Sequence, residues 1–156
     1  MAAEQVRGFS AATDIGMTRE EIVALFDRRS AAYDDLDAIV LAGDYADDAI
    51  VDSPTGGTHQ GREAIAAVLA TFFSGFPDVK MRTERLVIEG NFVAQLLTAE
   101  GTDLGRFLGL EPTGKSFRVA AAFFYELKGR QIVRERRIYD FTGLLVQIGA
   151  LKAKPI

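Results

Sequence analysis

The segment 131–140, reading QIVRERRIYD, restricts the folds open to this chain more than any other stretch. Ile132, Val133, Ile138 and Tyr139 favour a β-strand, yet the middle is Arg134, Glu135, Arg136 and Arg137. Successive side chains on a strand point to opposite faces. Glu135 and Arg137 therefore share one face with Val133 and Tyr139. Arg134 and Arg136 share the other with Ile138 and Asp140. At least one arginine points each way, so a closed space on either side holds a charge that must be paired or used. The preceding segment, 116–127, contains VAAAFFY, which is apolar on both faces. That pattern predicts a strand in the middle of a sheet. Lys128-Gly129-Arg130 turns one strand into the other.

Upstream, the pattern is first helical and then extended. Thr18 followed by Glu21 fits a capping box. Ile22, Leu25, Phe26, Arg29 and Tyr33 then follow helical spacing. A second short helix is expected over 35–41, stopped by Gly43. Residues 49–53 (AIVDS) read as a short strand and 54–61 (PTGGTHQG) as a loop. A third helix covers 62–74, with Ile65, Val68, Leu69, Phe72 and Phe73 on its apolar side; Gly75 and Pro77 end it. From Val79 to Ile88 the spacing alternates, with room for a bulge, and Glu89-Gly90-Asn91 reads as a hairpin turn. A strand over 92–99 follows, then a turn-rich link over 101–115. A short apolar helix over 142–150 closes the chain, with Asp140 as its N-cap. Helices first and a mostly antiparallel meander second predict an α+β fold, with helices on one face of a curved sheet. Residues 18–156 are expected to form a single domain, after a flexible arm over 1–17.

Composition removes several function classes. The chain has 156 residues and a net charge of −4, so neither nucleic acid nor an anionic membrane is an expected partner. It has no cysteine and one histidine, His59. Thiolate chemistry, disulfides and a His-rich zinc site within one chain are excluded. No apolar run reaches the ~20 residues of a membrane span, and the first 17 residues do not read as a signal peptide. A cytoplasmic protein is the expectation.

Four segments in order carry a family likeness: 45–54 (YADDAIVDSP), 61–65 (GREAI) with Phe76-Pro77-Asp78, 101–117 ending in GLEPTGKSF, and 140–149 (DFTGLLVQIG). Over about residues 18–151 the chain resembles the SnoaL-like polyketide cyclases, or ester cyclases, of the nuclear-transport-factor-two-like superfamily. The resemblance implies a cone-shaped, cystatin-like roll of helices on a strongly bent sheet, an enclosed pocket and a homodimer through the sheet's outer face. It also implies ring closure by intramolecular aldol chemistry without cofactor or metal, using an aspartate on the last strand and a histidine on the strand before it. Those two positions are Arg137 and Phe123 here, and Asp103 stands where the family often has histidine.

The family register points Phe117, Val119, Ala121, Phe123 and Tyr125, then Val133, Glu135, Arg137 and Tyr139, into the pocket. Arg137 either binds a carboxylate or enolate oxygen there, or simply pairs with Glu135. Glu135, beside several arginines, is better suited to orienting Arg137 than to acting as a base. Asp52, facing apolar walls, would have a raised pKa and serve as acid/base; otherwise it caps the turn after it. Tyr139, Tyr125 and Tyr33 could each donate to a substrate oxygen, or be structural. Asp103 is a further pocket candidate or a turn residue. The resulting expectation is a cofactor-independent enzyme acting on a hydrophobic carbonyl compound by cyclisation or isomerisation. The alternatives are a non-catalytic ligand-binding or dimerisation module, or an epoxide-hydrolase-like enzyme.

Overall fold

The computed structural model describes residues 16–153; most of the proposed N-terminal arm, residues 1–15, lies outside them. Helices α1 (Arg19–Asp34) and α2 (Ala38–Gly43) precede the hairpin β1 (Tyr45–Ser53) and β2 (Gly57–Gln60). Helix α3 (Arg62–Gly75) leads into the meander β3 (Lys80–Glu89), β4 (Phe92–Thr102), β5 (Ser116–Lys128) and β6 (Gln131–Tyr139), and α4 (Phe141–Gln147) follows. The six strands form one mixed sheet in the order β2-β1-β6-β5-β4-β3. All neighbours are antiparallel except β1 and β6, which run parallel. This is the α+β architecture expected, with helices packed on a six-stranded, mostly antiparallel sheet.

The local signals act as their chemistry predicts. Thr18 and Glu21 close a reciprocal capping box at the start of α1. Asp140 accepts from the Gly143 amide at 2.7 Å and caps α4. All five residues of the α1 stripe, Arg29 included, are buried. On α3, Ile65, Leu69 and Phe73 are buried while Val68 and Phe72 are half-buried and face an internal hollow. Residues 54–61 are more ordered than a loop: Gly56 and Gly57 adopt positive φ, which glycine tolerates, and the chain returns as β2.

On β5 the odd positions from Phe117 to Leu127 are buried and the even positions face outward. Each large inward side chain contributes about 1.5–3 kcal/mol by leaving water. On β6 the register slips opposite Glu126/Leu127. That bulge turns Ile132 fully inward and leaves Val133 half-buried, reversing the expected order at this end. Beyond it the expected alternation holds, and Glu135, Arg137 and Tyr139 pair with Tyr125, Phe123 and Ala121.

The link between β4 and β5 is anchored against the end of α3. Leu104 and Gly105 amides donate to the Gly75 carbonyl, at 3.2 and 3.0 Å. A Cβ on Gly105 would sit 1.9 Å from the Ser74 carbonyl oxygen, so only glycine allows this approach. Phe107, carried on the same link, packs against Phe76 with ring centroids 4.7 Å apart.

Candidate functional site

The helices and the concave face of the sheet enclose a hollow of about 70 Å³. Its walls are mostly apolar, with Phe72, Phe107, Phe117 and Phe123 prominent. The polar lining consists of Arg137, Tyr33, Tyr139, Ser53, Thr55 and Thr71. The space is narrower than the ~300–1,000 Å³ of many small-molecule sites. No carboxylate lines it among the described residues.

Arg137 is the charged group of this hollow, and one edge of it is locked. Its Nε donates to Glu135 Oε1 at 2.6 Å, and Nη2 reaches Oε2 at 3.4 Å. Its guanidinium carbon lies 5.3 Å from the Phe123 ring centre. Burial is the largest single influence and works against the charged form, but Glu135, together with Tyr33 and Tyr45, overcomes it and holds the pKa well above the usual guanidinium range. Arg137 is therefore a permanent cation in a largely apolar chamber.

Glu135 is fully buried and fully engaged. Besides Arg137, it accepts from the Tyr45 hydroxyl at Oε2. The Tyr45 oxygen in turn accepts from Arg29 Nη2 at 3.1 Å. Arg29 Nη1 donates to the Leu41 carbonyl at 3.2 Å and to Asp44 Oδ2 at 2.9 Å. Arg28 reaches the other oxygen of Asp44 at 2.7 Å. A continuous polar chain thus runs from the surface of α1 to the cavity. Such a buried cluster is tolerated because each charge has several hydrogen-bonding partners. With both oxygens occupied, Glu135 is arranged to orient Arg137 rather than to take a proton from a ligand.

Asp52 is not where a pocket acid/base would have to be. Val51 takes the inward position on β1 and is fully buried. Asp52 pairs with Arg136 in the parallel register and faces outward. Its carboxylate accepts from Thr58 Oγ1 at 2.9 Å and Arg134 Nη2 at 2.8 Å. The Thr58 hydrogen bond lowers its pKa most; desolvation opposes it, and Arg134 and Arg136 add to the lowering. The expected rise does not occur, because the apolar walls that would produce it lie on the other side of the sheet. Asp52 and Arg137 border one shallow outer depression, but Asp52 does not line the internal hollow that Arg137 faces.

The remaining candidates divide between wall and scaffold. Tyr33, Phe123 and Tyr139 line the hollow. Burial raises the pKa of Tyr33, with Arg137 and Arg29 opposing. The Tyr139 hydroxyl lies 2.5 Å from Thr55 Oγ1 and 3.4 Å from Ser53 Oγ. Tyr125 does not line the hollow: its hydroxyl donates to Gln95 Oε1 at 2.9 Å and its ring packs edge-on against Phe26. Asp103 is buried away from it and accepts from the amide and hydroxyl of Thr113, at 2.9 and 3.1 Å, which fastens the link. Both are scaffold rather than cavity residues.

Sequence reasoning missed Arg29, Tyr45, Ser53, Thr55 and Phe107. A signal existed for Arg29, which sits within the apolar stripe of α1. Ser53 and Thr55 share the inward side of the β1 end, two residues apart. Nothing local marks Tyr45, whose partner Glu135 comes from the far end of the chain.

A family model described as SnoaL-like polyketide cyclase matches residues 25–148. No curated protein matches the chain by sequence. Among solved structures, TsrD from Streptomyces laurentii is 24% identical, with a TM-score of 0.76 over 86% of this chain and 99% of its own. A protein of ketosteroid isomerase-like fold from Catenulispora acidiphila, crystallised with trimethylamine, is 22% identical, with a TM-score of 0.69 over 85% and 95%. TerC, co-crystallised with polyporic acid, is 18% identical, with a TM-score of 0.68 over 82% and 97%. At these identities the likeness speaks to the fold.

Proposed function

The chain belongs to the SnoaL-like polyketide cyclase family, and from that premise we propose that it is a cofactor-independent enzyme acting on a hydrophobic carbonyl compound held in the internal cavity. The supporting observation is Arg137: a permanent cation, locked on one edge by Glu135 and lining an apolar hollow. A guanidinium fixed in a site of low polarity stabilises negative charge developing on a carbonyl oxygen. Drawing charge onto that oxygen acidifies the neighbouring carbon. The proton leaves to water, since no carboxylate lines the hollow to receive it. The enolate then either adds to a second carbonyl of the same molecule, whose alkoxide oxygen regains a proton from water, or is reprotonated at a new position. Tyr33 and Tyr139 orient the substrate, and Glu135 positions Arg137. The same lack of carboxylates does not support an epoxide-hydrolase-like mechanism, in which acidic groups would converge on a water.

The test is exchange of α-protons in deuterated buffer, followed by NMR on acetophenone. The wild-type chain should accelerate exchange, and R137Q should lose about 10²-fold of that acceleration. Exchange no faster than in buffer would leave the second reading, a non-catalytic binder of small hydrophobic molecules. The same absence of a base in the cavity favours that reading.

The protein is further proposed to act as a homodimer. Ala122, Phe124, Leu96 and Ile138 occupy neighbouring positions on the outward face of β4, β5 and β6. Leu96 is 44% exposed and Ile138 51%. Arginines and glutamates surround them, the usual arrangement of an apolar interface centre with a polar rim.

A further inference from the structure

The polar chain leading to the cavity contains more positive than negative charge. Arg28, Arg29 and Arg137 share two carboxylates, Asp44 and Glu135. The needs of Arg29 are met by Leu41, Asp44 and Tyr45. Those of Arg137 are not: Nε and Nη2 reach Glu135, while Nη1 has no acceptor among the described residues. The polar groups that line the hollow with it, Tyr33, Tyr139, Ser53, Thr55 and Thr71, are hydroxyls. Hydroxyls can donate to an anion but cannot neutralise a cation. No carboxylate lines the hollow among the described residues, and the nearest negative charge, Glu135, holds the Nε edge of Arg137 and leaves Nη1 free.

We propose that the cavity selects a hydrophobic monoanion, an ionised carboxylic acid or a comparably acidic oxygen acid. Its charged oxygens dock on the unfilled side of Arg137, and its hydrocarbon body lies among Phe72, Phe107 and Phe117. The inference rests on the cavity being the ligand site, as proposed above. It narrows the ligand: beside its reacting carbonyl the molecule carries an anionic oxygen group, which meets Arg137 when it arrives. A guanidinium presents paired donors that match a carboxylate, and charge-assisted bonds of this kind are about twice as strong as neutral ones. The free volume suits a small body. At about 10–15 Å³ per water position, the hollow replaces roughly five waters, which is the scale of one aryl ring.

Calorimetric titration of the full chain with benzoate, benzamide and acetophenone tests this. The three share a ring and differ in charge. Benzoate should bind at least about tenfold more tightly than either neutral probe. R137Q should bring benzoate down to the level of benzamide, whereas R134Q, altering an exposed arginine on the outer face, should leave the preference intact. Equal or tighter binding of a neutral probe, loss of the preference in R134Q but not R137Q, or refusal of all three would overturn the proposal. If R137Q does not fold, the three probes on the wild-type chain decide alone. The catalytic reading is tested separately: acetophenone exchange without a benzoate preference removes only the anion proposal. A benzoate preference without exchange supports it and removes only catalysis.

Discussion

Tyr45 and Glu135, ninety residues apart in sequence, are joined by a buried hydrogen bond in which the phenol donates to the carboxylate. The bond places a neutral hydroxyl between Arg29 and Glu135, and through Glu135 it fixes the orientation of Arg137. Replacing the phenol by Y45F removes a donor from Glu135 and an acceptor from Arg29 without opening a large void. The expected cost is about 1–3 kcal/mol, read as a lower urea midpoint at unchanged slope. An unchanged midpoint would show that the phenol contributes nothing to holding the pair.

Asp52 lies on the opposite side of the sheet from the cavity, so D52N should leave probe binding at Arg137 unaltered. It should, however, change acid stability. The folded-state pKa of Asp52 lies below its ordinary value of 3.8, held down by Thr58 and Arg134. A depressed carboxylate contributes stability that is present above the unfolded pKa and is lost as pH falls through the folded one. Thermal melts from neutral to acid pH should therefore separate the wild type from D52N at neutral pH and converge below the folded pKa. A loss of cavity binding in D52N would contradict the outward placement.

Three of the four tyrosines should resist ionisation. Burial raises the pKa of Tyr33, Tyr45 and Tyr125 above the usual 10.0, and for Tyr33 and Tyr45 the neighbouring arginines oppose only part of the rise. A group with a raised folded pKa contributes stability that is complete below the unfolded value and is lost as pH climbs towards the folded one. Alkaline titration followed by phenolate absorbance should show these three ionising only as the chain unfolds. Their ionisation in the native protein near the ordinary phenol value would mean that the interior is open to water.

I138D places a charge at the middle of the outward apolar face. If that face joins two copies, sedimentation should show the wild type as a dimer and I138D as a monomer with an unchanged circular dichroism spectrum. A wild-type monomer at micromolar concentration would remove the dimer proposal.

The elements were readable in the sequence wherever short-range periodicity decides them. The Thr18–Glu21 box, the α1 stripe and the odd-numbered inward face of β5 depend only on near neighbours. The inward pairing of Glu135 with Arg137 was readable for the same reason, since two residues apart on a strand means one face. Asp52 was misplaced because its direction depends on the parallel register of β1 against β6, which no local pattern encodes. Val133 was displaced by a bulge opposite Glu126/Leu127, a defect without a residue signature here. The hydrogen-bonded chain through Tyr45 and Arg29 was hidden because its members lie on four elements, α1, α2, β1 and β6, that meet only in the folded protein.

The parallel contact between β1 and β6 also has a consequence during synthesis. Every other strand pairing joins consecutive segments, and so can form soon after its second member leaves the ribosome. β1 pairs early with β2 on one side, but must wait through the intervening β2, α3, β3, β4 and β5 for its second partner, β6. Closing so long a stretch is slow because its entropy is lost before the contact rewards it. The nascent chain therefore holds one unpaired edge of β1, and Arg29 and Tyr45 without the Glu135 carboxylate, until β6 has been made, which makes this interval the one in which a chaperone has most to protect.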